Sequence, residues 1–205
     1  MKSKIIVMVA LIGFGEAALA DEPGAYVYGS LGSALTHIDQ AKADALVSAA
    51  NGNASVTSSD QGNPFFYRFV VGYQLLWNLG VELGYGATNS FHYSTSAPPG
   101  SAESRRLQVL NFGFPLTYPL GHGFALVGRL GIARVRATGI DTISPGTSTR
   151  FSATKTSGAE FDVGLKYALN QHLSVRIDWT SFDTPRNSQL TRAVSTLTAG
   201  VGYHF

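Results

Sequence analysis

The chain has 205 residues, with no cysteine, 23 glycines, 14% charged residues and a formal net charge of +2. Its basic residues are scattered, which excludes a nucleic-acid-binding face, and the lack of cysteine excludes a disulfide framework. Past the N-terminus no stretch is apolar for the ~20 residues a spanning helix needs, so any membrane span must be built from strands.

Taken in order, the chain opens with an export pattern. Lys2 and Lys4 precede the apolar run from Ile5 to Phe14, and Ala18-Leu19-Ala20 forms a small-x-small cleavage site before Asp21. This reads as a secretory signal peptide over residues 1–20, with a single barrel domain over 21–205; the other reading is a retained N-terminal anchor.

Eight strands follow, each an alternating segment bounded by turn chemistry: Ala25–Ala34, Phe65–Leu75, Leu79–Asn89, Leu107–Pro119, Gly123–Arg136, Gly158–Leu169, His172–Ser181 and Val194–Phe205. The first is the least marked: Val27, Gly29 and Leu31 make a modest apolar row, and the opposite register would expose Tyr26 and Tyr28. The connections around Leu76–Asn78, Leu120–His122 and Asn170–Gln171 are short. Those over Leu35–Pro64, Ser90–Arg106, Ala137–Ser157 and Phe182–Ala193 are long and polar, and Gln40–Ala50 in the first could form a short helix with Leu46 and Val47 on one side. Short turns alternating with long loops are expected of an even-stranded outer-membrane barrel with periplasmic turns and extracellular loops.

The charges test this reading. In the sixth strand Phe161, Val163, Leu165 and Tyr167 alternate with Glu160, Asp162, Gly164 and Lys166; in the seventh Leu173, Val175, Ile177 and Trp179 alternate with Ser174, Arg176, Asp178 and Thr180. Arg68, Glu82 and Arg129 likewise fall opposite the large apolar row of their strands. A lysine or arginine facing lipid at mid-membrane costs ~2–4 kcal/mol, so the charges belong in the lumen. The expected fold is an all-β, eight-stranded antiparallel up-and-down transmembrane barrel in a bacterial outer membrane. Its interior carries Arg68, Glu82, Arg129, Glu160, Asp162, Lys166, Arg176 and Asp178. A lipocalin-like barrel would have the opposite sidedness, with charges outside.

Ordered short blocks carry a family resemblance. They are Gly72-Tyr-Gln74, Gly80-Val-Glu-Leu-Gly-Tyr85, Phe114-Pro-Leu-Thr117, Arg129-Leu-Gly131, Lys166-Tyr-Ala-Leu169, Leu173-Ser-Val-Arg-Ile-Asp-Trp179 and the terminal Leu197 to Phe205. Together they resemble the transmembrane domain of the outer-membrane protein A family, in a short form without the periplasmic peptidoglycan-binding domain of longer members. The resemblance implies that Glu82, Arg129, Arg176 and Asp178 belong to an interior charge network. Lys166 stands where the family often has an acid, and Asn111 where it often has a lysine, so Glu160 or Asp162 could offset Lys166. It also implies that the last strand, with Tyr203 and Phe205, is the signal read by the barrel-assembly machinery.

Three functions are weighed. The first is a structural or surface barrel with a side-chain-filled interior, which a gating rearrangement of ion pairs could convert to a low-conductance pore. The second is adhesion or host recognition through the extracellular loops. The third is a lipid A-modifying enzyme. The third is disfavoured, because His122, His172 and His204 fall at the periplasmic end. His37 and His92 are extracellular, and His92-Tyr-Ser94 has no acid nearby in sequence. No catalytic, metal or cofactor site is expected, and the partners are outer-membrane lipid, lipopolysaccharide, the assembly machinery and an extracellular ligand or host surface.

Overall fold

The computed structural model describes residues 23–35, 40–50, 55–61, 63–97, 102–144, 147–183 and 193–205. The predicted signal peptide with Ala18, Ala20 and Asp21, and His37, lie outside them, as does most of the stretch between Phe182 and Ala193.

Eight antiparallel strands close into a barrel: β1 (Gly24–Leu35), β3 (Phe65–Gln74), β4 (Gly80–Thr88), β6 (Ala102–Gly121), β7 (Phe124–Ser144), β8 (Thr147–Ala168), β9 (Leu173–Asp183) and β10 (Ala193–His204). Each pairs with its neighbours in chain order. The first and last strands seal the sheet in register from Tyr26 opposite His204 to Leu35 opposite Ser195. Closure leaves no open sheet edge within the membrane, which hydrocarbon would not tolerate.

The side chains follow the period of two. Phe69, Leu83, Leu110, Phe112, Leu130, Ile132, Ile177 and Val201 are large apolar groups exposed on the outer wall, where a soluble protein would place polar residues. Arg68, Glu82, Arg129, Asp162, Arg176 and Asp178 are buried inside. In β1, Tyr28 and Ser30 are buried while Gly29 and Leu31 are exposed, so the register with the tyrosines inside is the one adopted. At the end with the short turns, Tyr73, Trp77, Tyr118, Tyr203 and Phe205 ring the outer wall. The rings of Phe124 and Tyr167 lie 4.6 Å apart there, and those of Tyr203 and Phe205 5.0 Å apart. Amphipathic rings favour the membrane–water boundary. The β6–β7 turn places Gly121, His122 and Gly123 at positive φ (93°, 53° and 79°), a conformation that two glycines make accessible.

The extracellular connections depart from the expected loops. The stretch Ala137–Ser157 is an extension of the β7–β8 hairpin, paired as far as Ser144 opposite Thr147, with irregularities at Ala137/Gly139 and Thr142/Ser144. The stretch Ser90–Arg106 contains β5 (Phe91–Ala97), which pairs with the upper end of β6. The first loop adds β2 (Thr57–Gln61), which pairs with β5. These segments are rich in Thr and Ser, which accept extended backbone geometry without apolar alternation. The helix α1 forms over Gln40–Ala50, as the sequence suggests, and Val47 is buried.

Candidate functional site

Inward rows from seven strands meet in mid-barrel. Arg129 of β7 is the hub: its Nη1 donates to Glu82 Oε2 at 2.8 Å, and its Nη2 donates to Asp162 Oδ2 at 2.9 Å and to Glu160 Oε1. Arg68 of β3 donates to Asp162 Oδ2 at 3.1 Å and forms an ion pair with Glu160 at 3.6 Å. On the other side, Arg176 Nε donates to Asp178 Oδ2 at 2.8 Å, and its Nη1 reaches Glu82 Oε1 at 3.5 Å. Uncharged donors complete the layer: Asn111 to Glu160 at 2.9 Å, Thr180 to Asp162 at 2.7 Å, Tyr26 to Glu82 at 2.9 Å and Tyr28 to Asp178 at 3.0 Å. The Arg176 guanidinium also lies 4.3 Å from the centre of the Tyr28 ring.

The backbone makes room for this layer. A Cβ at Gly164 would stand 2.1 Å from Asp178 Oδ1, so glycine is what lets that carboxylate lie against the wall. Ions removed from water are tolerated only when paired and hydrogen-bonded, and here each carboxylate meets at least one guanidinium.

Two further zones flank the charges. Toward the extracellular mouth the interior carries an apolar cluster: Phe66, Leu107, Val109, Val135, Phe182 and Val194 are buried together, Val47 of α1 joins them from the first loop, and Thr88, Arg105 and Thr196 are buried at the same end. Toward the periplasm lies a small cavity of about 50 Å³. It is lined by Gln74, Glu82, Thr117, Lys166, Arg176 and His204 among others.

Seven of the eight residues expected in the lumen therefore meet in one layer. The eighth, Lys166, is half-buried and stands in the periplasmic cavity, while Glu160 and Asp162 are held by Arg68 and Arg129. Sequence reasoning missed Tyr26, Tyr28 and Thr180 as network partners, and set Asn111 at a network position of the resembled family without its partner, Glu160. It also missed the apolar mouth, whose one sequence signal is the loss of contrast between the two rows of β6 at Leu107, Val109 and Leu110.

At the last strand Tyr203 and Phe205 point outward, and the Phe205 amide donates to the carbonyl of Ala25 at 3.0 Å. His172 and His204 lie near each other at this end, the ring Nδ1 of His172 being 3.0 Å from the carbonyl of His204. In the extracellular sheet His92 is in register with Gln61 and Ser104, and Ser94 with Ser59 and Ala102, so no acid stands opposite either. Among the described residues no group of three or more His, Cys, Asp or Glu is placed to hold a metal ion.

Comparison with known proteins gives the same architecture. The crystal structure of Neisserial surface protein A matches with a TM-score of 0.58 at 14% identity, over 94% of this chain and 100% of that one. The attachment invasion locus protein of Yersinia pestis matches with a TM-score of 0.53 at 15% identity, over 90% and 100%. Its complex with the heparin analogue sucrose octasulfate matches with a TM-score of 0.50 at 15% identity, over 89% and 99%. At these identities the likeness is one of fold. No curated protein sequence matches the chain significantly. The model of the outer membrane protein beta-barrel domain matches residues 6–205. With the closed barrel, its apolar outer wall and its charged interior, that match makes the chain a member of the outer membrane protein β-barrel domain family, resident in the Gram-negative outer membrane.

Proposed function

We propose that this barrel is a closed, rigid surface scaffold that displays the β7–β8 hairpin and the β2–β5 sheet outside the cell, rather than an open pore. The observation that carries the reading is the double filling of the lumen. A salt-bridged layer spans mid-barrel and an apolar zone including Val47 lies above it. Eight strands leave an interior about wide enough for side chains alone.

Planar-bilayer recording of the refolded protein tests this. The wild type should hold a closed baseline with at most rare openings. Glu82→Gln and Val47→Asp should each leave the baseline nearly closed, because each loosens one of two stacked seals. The double variant should open more often than either. A stable, porin-sized conductance in the wild type would refute the scaffold reading. Full opening by Glu82→Gln alone would make the charge layer a gate in its own right.

The export segment, residues 1–20, and the last strand fit a route through the periplasm to the assembly machinery. Deleting Phe205 should cut the amount of folded barrel in the outer membrane several-fold without changing expression. Normal levels of the folded form, read by heat-shifted gel mobility, would remove Phe205 from that role.

A further inference from the structure

The outer wall carries one patch that neither the lumen nor the apolar band explains. Arg106 of β6, Arg134 and Arg136 of β7 and Lys155 of β8 are all exposed. They lie on adjacent strands, on the outward rows that carry the lipid-facing apolar side chains lower down. Register places them together: Arg134 stands opposite Leu110 and Ser157, Arg136 opposite Gln108 and Lys155, and Arg106 opposite Thr138, diagonal to Arg136. Opposite residues on one face of a sheet have Cβ atoms about 5 Å apart, and diagonal neighbours lie about 7–8 Å apart. Four cations therefore share one small area.

The arrangement costs stability as it stands. Like charges directly opposite one another, as at Arg136 and Lys155, repel. Among the described residues none of the four is paired with a carboxylate; Arg106 instead donates to the Tyr67 hydroxyl at 3.4 Å. Anionic groups held between the strands would relieve the repulsion.

What adjoins the patch selects the kind of anion. Arg134 stands two positions beyond Ile132, about 7 Å along the strand. Ile132 and Leu110 are among the more exposed apolar residues of the wall, 66% and 51% exposed. The surface thus changes from apolar to cationic within one step of the outward row, at the upper edge of the membrane band. A soluble polyanion would use only the cationic half. An amphiphile with phosphates above its acyl chains would use both. We propose that Arg106, Arg134, Arg136 and Lys155 form a docking site for the phosphate groups of a phosphorylated glycolipid of the outer leaflet. Its acyl chains would lie along Leu110 and Ile132. The site lies on the outer wall, so it is independent of whether the lumen conducts.

Titration of the detergent-folded barrel with lipid A bearing both phosphates, and with the same lipid after dephosphorylation, tests the site. The wild type should prefer the phosphorylated form by at least about tenfold. Replacing Arg134, Arg136 and Lys155 together by serine should weaken phosphorylated lipid binding on the order of a hundredfold at low salt, about fivefold per cation. The dephosphorylated lipid should bind as before. Arg134→Lys with Arg136→Lys keeps the charge and should keep the preference, and heat-shifted mobility verifies that each variant is folded. Equal affinity of the wild type for the two lipids, or a preference surviving in the triple serine variant, would overturn the site. So would binding of a heparin oligosaccharide at this patch without binding of lipid A, since the face would then read a soluble polyanion.

Discussion

Arg129→Met is expected to destabilise the folded barrel by about 3–5 kcal/mol, seen as a lower temperature for the loss of heat-resistant gel mobility. Arg129 is 2% exposed and contacts Glu82, Glu160 and Asp162 at once. Methionine fills much of the same volume, so the main loss is the cation rather than packing. Removing one partner of a buried ion pair leaves the other charge uncompensated, which costs far more than the intact pair contributes. Adding Glu160→Gln alone to Arg129→Met should recover part of the loss, because the layer then carries one carboxylate fewer while Arg68 keeps Asp162 as its partner. The difference between the single variant and the combined one measures their coupling. Full stability in Arg129→Met would mean that the layer is filled by water and other side chains and that Arg129 is not its hub.

Arginine at position 177 should be more damaging to assembly than arginine at position 118, although both side chains face outward. Ile177 is 55% exposed and pairs with Leu165 and Ala199, in the middle of the apolar band. Tyr118 is 66% exposed but lies close to the β6–β7 turn, at the aromatic edge. The penalty for a cation on the lipid face is ~2–4 kcal/mol at the midplane and falls to ~0–1 kcal/mol near the interface. Ile177→Arg should therefore lower the yield of folded, membrane-inserted protein strongly, and Tyr118→Arg only slightly. Equal yields would contradict the depth assigned to these strands.

How much of this was legible in the chain follows from where water is. Inside the membrane, lipid demands an apolar outer row, so the eight barrel strands, and the facing of all but β1, could be read from alternation. The same constraint fixed the inward direction of Arg68, Glu82, Arg129, Arg176 and Asp178. Outside the membrane both faces of a hairpin meet water and alternation vanishes. The stretch Ala137–Ser157 thus reads as a loop although its backbone pairing continues to Ser144 and Thr147. Near the mouth the contrast fails for the opposite reason: Leu107 and Val109 point inward beside the outward Leu110. Partner choice was the least legible feature. Which carboxylate meets which guanidinium across the lumen depends on the stagger of strands around the barrel, which no single strand encodes. That stagger gives Arg129 three carboxylates and sets Lys166 nearer the periplasm.

The seam between β1 and β10 bears on how this molecule enters its membrane. Groups of the charged layer come from strands spread along the chain, from Tyr26 in β1 to Thr180 in β9. A half-assembled sheet would carry ionised side chains and a bare backbone edge into hydrocarbon, with nothing yet opposite them. Insertion and neutralisation must then proceed as one concerted event, nearly all-or-none, completed when the C-terminal strand docks against the first.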